Sequence, residues 1–414
     1  MFRRIRGLVV ALLTVALVFY LVGIASAYVP LPTFDIEGLI SWLPWEIPFL
    51  TANETSGEGD VAATEPSGEA SQDTGESEEG AGQTQVVDAR HGFDYACLDP
   101  GAQDAYDLIY DGLVSRAASF KVGDHSVEEV EAAYWSVRDD HPELFWVEGF
   151  EYTIGAAPIT VSPQFNCDAE QIDQIAAQIE AAAWDVVSAL PEEASTYDKV
   201  RWFYEWIINE TDYVTGAPNH QNVQSVFLTH QSVCAGYSSA FAYLCHLVGI
   251  PCGTVSGTAE GRGSHAWNIV DIDGVYTYVD VTWGDPVFAG EDVASTGTLT
   301  YDYLCLTTEE IGRDHVTQRP AQGLPLCESR EYDYCVRTGT YLESFEREAL
   351  DELIWSAREA GESSLYFKLS CREDFDAADE YLHSDDLFWG PLDGYTSVRM
   401  SYNDSVYTID LSWS

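Results

Sequence analysis

The stretch from Ser232 to Pro286 constrains the fold of this 414-residue chain more than any other, because a helix pattern in it is followed at once by a hairpin pattern. Apolar side chains recur at helical spacing from Cys234 onward. Gly249 and Pro251 then end the run, as such residues do at helix C-termini. We therefore predict a helix whose first turn holds Cys234 and whose N-cap is Ser232. The amide groups and the dipole at a helix start favour a thiolate over a thiol.

Two strand patterns follow the helix. The runs AWNIVDI and VYTYVDV alternate and are rich in β-branched and aromatic residues, and Asp273-Gly274 lies between them. That dipeptide between two such runs is a strong hairpin signal. With these two residues as the loop, Ile272 pairs with Val275, and this pair sets the register of the hairpin.

The predicted register places two polar side chains on one face. Asp280 falls opposite Trp267, one diagonal step from His265. Diagonal neighbours in an antiparallel pair are about 7–8 Å apart, within reach of a histidine and an aspartate that lean together. A carboxylate behind an imidazole holds its tautomer and stabilises the imidazolium. Cys234, His265 and Asp280 are therefore our candidates for a thiol nucleophile, its base and the residue that orients the base.

The same stretch is similar to the transglutaminase-like superfamily, whose core is related to papain-type thiol proteases. The resemblance rests on the runs VCAGYSSAF, LCHLVGIPC, HAWNIVDIDG and VDVTWGDP. From Asp94 to about Val316 the chain resembles the secreted bacterial branch of that family. The resemblance implies that Cys234, His265 and Asp280 form a catalytic triad.

The resemblance also implies a fold class. We expect an α+β, papain/transglutaminase-like core in which the nucleophile helix packs on an antiparallel sheet, with an N-terminal helical layer and a small C-terminal α+β domain. Members of the family often carry a glutamine or a ring donor upstream that helps to hold the oxyanion, and Gln221 is the candidate here. Trp267 and Trp283 are candidates for lining the cleft, although large aromatic residues in strands usually pack.

The cysteines of this stretch have alternative interpretations. A cysteine is more often a small buried apolar residue than a nucleophile, and we interpret Cys245 and Cys252 as core or disulfide residues. For Cys234, the position at a helix start and the two predicted partners, His265 and Asp280, favour a nucleophile.

The sequence contains no C-x-x-C pair, no helical histidine pair and no calcium loop, so we predict no metal and no other cofactor.

The formal net charge of −50 limits the classes of partner. Such a chain repels nucleic acid and anionic lipid, so we predict no nucleic-acid partner and expect neutral or basic surfaces instead. The substrate that the resemblance implies is a protein or peptide that donates a glutamine or peptide amide.

Three segments precede the folded part of the chain. Residues 1–27 combine three arginines, a long apolar run and an A-x-A end, which is the pattern of a signal peptide or of an N-terminal membrane anchor. Residues 28–50 are an apolar juxtamembrane segment. Residues 51–89 are acidic and contain no lysine or arginine, so we predict a disordered linker. Both interpretations of residues 1–27 place the rest of the chain outside the cell, membrane-anchored or secreted.

The remaining sequence divides into three regions. Residues 90–195 are predicted to be helical, and residues 196–325 hold the transglutaminase-like core. Residues 330–414 are predicted to form a small α+β accessory domain that ends in a hairpin around Asn403-Asp404. We find no second set of candidate catalytic residues in the first or the last region.

The chain has nine cysteines. If Cys234 is a free thiol, Cys97 with Cys167 and Cys327 with Cys335 are candidate disulfides of an exported protein. The pairing cannot be deduced from sequence, and burial as free thiols is the alternative.

These observations lead to one functional hypothesis with two alternatives. We expect an exported enzyme that transfers an acyl group through a thioester on Cys234. A cysteine peptidase or amidase with the same triad is the first alternative, because both reactions share every step up to the thioester. A non-catalytic cell-surface binding protein is the second, and the intact set of three residues favours an enzyme over it.

Overall fold

The computed structural model describes residues 90–153, 158–261, 263–285, 299–320 and 322–414. The predicted segments 1–27, 28–50 and 51–89 lie outside these ranges. Within the ranges, no helix has both the length and the apolar character needed to cross a bilayer.

The N-terminal region combines helices with a small sheet. Its elements are α1 (Phe93–Ala96), α2 (Pro100–Val114), β1 (Phe120–Gly123), α3 (Val127–Asp140), β2 (Val147–Thr153), β3 (Ile159–Phe165) and α4 (Ala169–Ser188). A capping box between Ser126 and Glu129 starts α3. The strands pair in the order β1-β3-β2. The region that we predicted as helical therefore also contains a sheet, whose strands pair without an Asn-Gly or Asp-Gly loop to announce them.

The central region is built on one antiparallel sheet. Its elements are α5 (Thr196–Glu210), β4 (Asp212–Tyr213), a π-helical turn (Ser225–Thr229), β5 (Gln231–Ser232), α6 (Cys234–Leu247), β6 (Cys252–Ala259), β7 (Gly263–Ile272), β8 (Val275–Val279), β9 (Leu304–Leu306), α7 (Thr308–Ile311) and β10 (His315–Arg319). The sheet has the strand order β10-β6-β7-β8-β9, and α6 packs against β6 and β7. The predicted α+β arrangement, with the nucleophile helix on an antiparallel sheet, is confirmed.

The hairpin of β7 and β8 has the predicted register. Ile272 pairs with Val275, and the ladder continues to the pair of Asn268 and Val279. The loop residues Asp273 and Gly274 both have positive φ, 55° and 92°, as a two-residue turn of type I′ requires.

The central sheet is covered on both faces. Val270 and Ile272 belong to the main core, together with apolar side chains of α6. The alternate residues Trp267 and Ile269 point to the other face and belong to a second cluster, which also contains Ile311 of α7.

The C-terminal region has its own sheet and core. Its elements are α8 (Tyr334–Thr338), β11 (Tyr341–Leu342), α9 (Arg347–Glu359), β12 (Ser364–Leu369), α10 (Arg372–Leu382), α11 (Asp386–Trp389), β13 (Val398–Asn403) and β14 (Thr408–Trp413). The strand order is β11-β12-β14-β13. One residue of the last hairpin, Val406, belongs to the second cluster of the central region. Lys368 of β12 also forms a buried ion pair with Glu310 of α7.

The candidate disulfides are not formed. All nine cysteines lie within the described residues, and there each is a free thiol. Cys327 is buried in the second cluster, and Cys335 is buried in the short helix α8. Both act as small apolar residues, which was the alternative interpretation.

Candidate active site

Cys234 is the first residue of α6, as the sequence predicted, and it is half-buried. The preceding residue, Val233, is extended and occupies the N-cap without a capping side chain. The prediction of Ser232 as the cap is wrong. Its hydroxyl instead contacts the Ser225 hydroxyl at 2.7 Å and donates to the His220 carbonyl oxygen at 3.0 Å. Ser232 thus ties the chain just before Cys234 to the neighbouring loop.

His265 of β7 lies between Cys234 and Asp280. Its Nε2 atom is 2.6 Å from Asp280 Oδ2. The imidazole also shares a side-chain hydrogen bond with the Cys234 thiol. Because Nε2 faces Asp280, Nδ1 is the ring nitrogen left for the thiol. The structure therefore brings the three predicted residues together in the order thiol, imidazole, carboxylate.

The Asp280 carboxylate is buried completely and accepts hydrogen bonds at both oxygens. Oδ1 accepts the backbone N–H groups of Thr282 at 2.9 Å and Trp283 at 3.1 Å. Burial alone would raise the pKa of Asp280, but His265 and the second histidine, His315, outweigh it and hold the pKa well below its usual value. Asp280 is thus a carboxylate at neutral pH.

The same contacts set the charge of His265. Burial alone would lower the pKa of His265, but the Asp280 charge, its hydrogen bond and the contact with Cys234 outweigh burial and raise the pKa to about 10. His265 is therefore an imidazolium at neutral pH. A positive ring beside a thiol at a helix start is the environment that stabilises a thiolate.

The sequence did not identify His315, which also contacts the Asp280 carboxylate. His315 Nε2 lies 3.1 Å from Asp280 Oδ2, the oxygen that also contacts His265. On its other side, His315 Nδ1 lies 2.5 Å from Asp314 Oδ1. The only sequence signal is the Asp314-His315 dipeptide at the start of a strand, and that signal says nothing of Asp280.

The ligand atoms of His265, Asp280 and His315 also lie close enough together to be considered as a cation site. The two nitrogen–oxygen distances, 2.6 and 3.1 Å, are hydrogen-bond distances. Both are shorter than the ~3.3 Å between neighbouring ligands of a tetrahedral zinc with bonds of about 2.0–2.1 Å. The arrangement fits a hydrogen-bonded group better than a metal site.

The two candidate cleft residues differ in exposure. Trp267 is 1% exposed and packs in the second cluster, with its ring centre 6.0 Å from that of His265. The prediction that Trp267 lines the cleft is wrong: Trp267 is on the same face of β7 as His265, but the second cluster covers it. Trp283 is half-buried, with its ring centre 5.9 Å from that of His265, and stays a candidate for the cleft wall.

Gln221 lies in the loop that is tied to the start of α6. Its side chain is exposed. Its neighbour His220 accepts hydrogen bonds from the Val233 N–H at 3.1 Å and from the Ser232 hydroxyl at 3.0 Å. These bonds hold the Gln221 backbone near the residues that precede Cys234. The role of Gln221 as an oxyanion donor stays a prediction.

Part of the chain matches a known protein family. Residues 186–281 match the family model of the Transglutaminase-like superfamily. Kyphoscoliosis peptidase of Homo sapiens is 30% identical over 158 residues, which is 34% of this chain and 24% of that protein. The Mus musculus protein of the same name is 31% identical over 134 residues, which is 28% of this chain and 20% of that protein. The chain thus spans less than a quarter of the length of these curated relatives. Among solved structures, the crystal structure of a TGase matches with 17% identity and a TM-score of 0.25, over 33% of this chain and 44% of that one.

Proposed function

We propose that this chain, whose residues 186–281 form a transglutaminase-like domain, is a thiol enzyme with Cys234, His265 and Asp280 as its catalytic triad. One observation carries the proposal. The three side chains form a continuous hydrogen-bonded series that starts at the first residue of a helix and ends at a fully buried carboxylate. A buried carboxylate behind an imidazole orients the ring and stabilises its charged form.

The reaction begins with attack by the Cys234 thiolate on the carbonyl carbon of a carboxamide or peptide. The new carbon–sulfur bond places a negative charge on the carbonyl oxygen, and the Cys234 backbone N–H and the Gln221 amide are our candidates to hold it. When the oxyanion collapses, the carbon–nitrogen bond breaks and the departing amine takes a proton from the His265 imidazolium. The acyl group is then a thioester on Cys234.

The second half of the reaction depends on the acceptor. His265, now neutral, takes a proton from an amine or from water as it attacks the thioester carbonyl. The carbon–sulfur bond breaks, and thiolate and imidazolium are restored. A lysine amine gives an isopeptide bond, and water gives hydrolysis. We propose acyl transfer as the main reaction, while the name of the relatives, a peptidase, supports hydrolysis as the second candidate.

The charge of the chain and its N-terminal sequence support two further parts of the proposal. A formal net charge of −50 favours protein or peptide substrates with neutral or basic surfaces. The arginines and the apolar run of residues 1–27 favour a location outside the cell, either anchored or secreted. Because the cysteines are free thiols, disulfides do not support export. Fractionation of cells that express the full chain tests this location, and recovery of the chain in the cytoplasm alone would overturn it.

The test of the activity uses the full chain and the Cys234→Ala variant as its matched control. Each is incubated with a glutamine-bearing protein and a biotinylated primary amine. Incorporation of the amine by the wild type alone supports transfer. Release of ammonia or peptide without incorporation supports hydrolysis. If neither occurs, and iodoacetamide labels Cys234 no faster than the other thiols, the chain is a binding protein and the catalytic proposal fails.

Selective labelling of Cys234 needs a control thiol, because the chain has eight other cysteines. Burial raises the pKa of Cys97 and of Cys327 to about 12, so few of these thiols ionise at neutral pH. Cys371 is half-buried, and its thiol donates to Asp374 Oδ2 at 3.0 Å. Cys371→Ala is therefore the control that should leave labelling of Cys234 unchanged.

A further inference from the structure

His315 reaches the candidate active site from two strands away. It starts β10, and β6 lies between β10 and β7, the strand of His265. The β6 residue that faces His265 is Gly257, and Gly257 also pairs with Thr317 of β10. The ring centres of His265 and His315 are 5.4 Å apart. A Cβ atom on Gly257 would overlap the Val316 carbonyl oxygen, so the absence of a side chain there lets β10 lie close to β6.

Aromatic rings surround His315 on the remaining sides. The ring centres of Trp283, Trp267 and Tyr303 lie 4.7, 4.9 and 5.7 Å from that of His315. The ionisable groups that face it are Asp280, Asp314, His265 and Tyr303. The His315 side chain is 1% exposed, so water cannot take the place of these partners.

A chain of hydrogen bonds leads from His315 to the C-terminal region. Asp314 contacts His315 with Oδ1 and accepts the Tyr303 hydroxyl with Oδ2 at 2.5 Å. The Tyr303 hydroxyl in turn shares a hydrogen bond with the side chain of Asn403, at the end of β13. Asn403 also donates to Asp302 Oδ2 at 3.1 Å. These hydrogen bonds tie Asp302, Tyr303 and Asp314 to the last hairpin.

The turn of that hairpin is itself packed against the central region. Arg313, beside Asp314, donates to the Ser405 carbonyl oxygen at 3.0 Å and lies over the Tyr407 ring at 4.2 Å. Val406 is fully buried in the second cluster with Trp267 and Tyr303. The turn is therefore a structural support beneath the face of the sheet that carries His265.

We propose that His315 is a positioning residue for the triad: it holds the Asp280 carboxylate toward His265, and the C-terminal hairpin turn holds His315 in place through Asn403, Tyr303 and Asp314. This inference rests on the proposed function, because it concerns the same site. It makes the C-terminal region part of the active-site architecture instead of a separate accessory domain. His315 touches neither the thiol nor the substrate in this scheme and acts through Asp280 alone.

The test measures the rate at which iodoacetamide alkylates Cys234 in the full chain, across the pH range from acid to alkaline. This probe needs no knowledge of the substrate. Loss of the His315 contact leaves Asp280 without one of its hydrogen-bond donors, so we expect Cys234 of His315→Ala to be alkylated at least about tenfold more slowly at neutral pH. The rise of the rate with pH, which follows ionisation of the Cys234 thiol, should also move to higher pH, because a misplaced carboxylate stabilises the imidazolium less and the imidazolium then stabilises the thiolate less.

His315→Gln separates position from charge. The glutamine amide keeps an N–H donor for Asp280 but carries no charge. If His315 positions Asp280, this variant stays within about threefold of the wild type, and its rate rises over the same pH range as that of the wild type. If His315 acted through its charge alone, the alanine and glutamine variants would behave alike. His141→Gln, at another buried histidine that contacts Glu143 at 2.8 Å, is the control for general damage to the fold.

Two further variants test the link to the hairpin turn. Asn403→Ala and Tyr303→Phe should each slow alkylation and move the rise of the rate to higher pH, in both respects by less than His315→Ala does. If His315→Ala does not fold, these two variants still test the inference. The inference is overturned if the alanine and glutamine variants at His315 match each other, or if the variants at Asn403 and Tyr303 both match the wild type. Failure of the wild type to label selectively at Cys234 would instead count against the proposed function.

Discussion

Gly257 lies directly opposite His265 in the antiparallel pair of β6 and β7. A Cβ atom on Gly257 would overlap the Val316 carbonyl oxygen of β10 and come within 2.9 Å of the Trp267 ring. Backbone in the neighbouring strand cannot yield as a flexible side chain can. The absence of a side chain at this one position therefore allows the three strands to meet beside the candidate base.

Gly257→Ala should disturb both stability and reactivity. Overpacking of a well-packed core costs about 1–3 kcal/mol of the free energy of unfolding, and displacement of β10 should slow alkylation of Cys234. Chemical denaturation and the iodoacetamide rate are the two measurements. The matched control is Gly149→Ala in β2, where a Cβ would meet only the end of the Gln164 side chain at 3.3 Å. Equal behaviour of the two variants would contradict the prediction.

The contact between His265 and Asp280 links stability to pH. The pKa of histidine is about 6.5 in an unfolded chain, and it is raised to about 10 in the folded protein. Because the folded form binds the proton more tightly, this stabilisation is complete below the unfolded pKa and is lost as pH rises through the folded pKa. We expect the free energy of unfolding to fall across that window by up to ~1.4 kcal/mol per pH unit.

Urea denaturation at several pH values checks this linkage. Other groups titrate in the same window, so the informative quantity is the difference between the wild type and His265→Gln at each pH. That difference should shrink as pH rises toward the folded pKa of His265. A difference that is constant over the window would contradict the assignment of a raised pKa.

Gln221→Ala tests the oxyanion candidate separately from the thiol. Removal of an oxyanion donor typically lowers kcat by about 10²–10³-fold, while KM should change little. Alkylation by iodoacetamide forms no oxyanion, so the labelling rate of Cys234 should stay the same. Gln231→Ala, an exposed glutamine in β5, is the control. An unchanged kcat in the Gln221 variant would remove it from the mechanism.

Lys368→Met should destabilise the fold strongly. Lys368 Nζ lies 3.0 Å from Glu310 Oε1 and 2.7 Å from Asp333 Oδ2, and all three side chains are buried. The substitution removes the cation that pairs with both buried carboxylates. Breaking a buried ion pair in this way costs about 3–5 kcal/mol of the free energy of unfolding. Thermal and chemical denaturation measure the loss. Lys121→Met, at an exposed lysine in β1, should stay near the wild type, and a similar effect in both variants would contradict the prediction.

The parts of the fold that were predicted from sequence are those with local signals. The Asp273-Gly274 turn sets a register that follows residue by residue, so it predicted that Asp280 would lie beside His265. The helix that begins at Cys234 was equally local, since its apolar period and its end at Gly249 lie within one short stretch.

The parts that sequence could not predict depend on contacts between distant residues. His315 meets Asp280 only because β10 pairs with β6, and no local pattern gives that strand order. Ser232 looked like a cap by its position, but its hydroxyl contacts Ser225 and His220 instead. Trp267 was a candidate for the cleft, but distant residues such as Tyr303 and Val406 pack with it in the second cluster and bury it.

The burial of Val406 beneath the central sheet also has a consequence for protein synthesis. A ribosome makes the helix of Cys234 and the hairpin of His265 long before it adds the last hairpin, and chains fold as they emerge. Until Asn403 and Val406 arrive, the second cluster lacks one of its walls and His315 lacks its support. We expect nascent chains stalled before β13 to react with iodoacetamide no faster at Cys234 than at their other thiols. Cys234 would then stay unreactive while the chain is on the ribosome, and would become reactive only as folding ends.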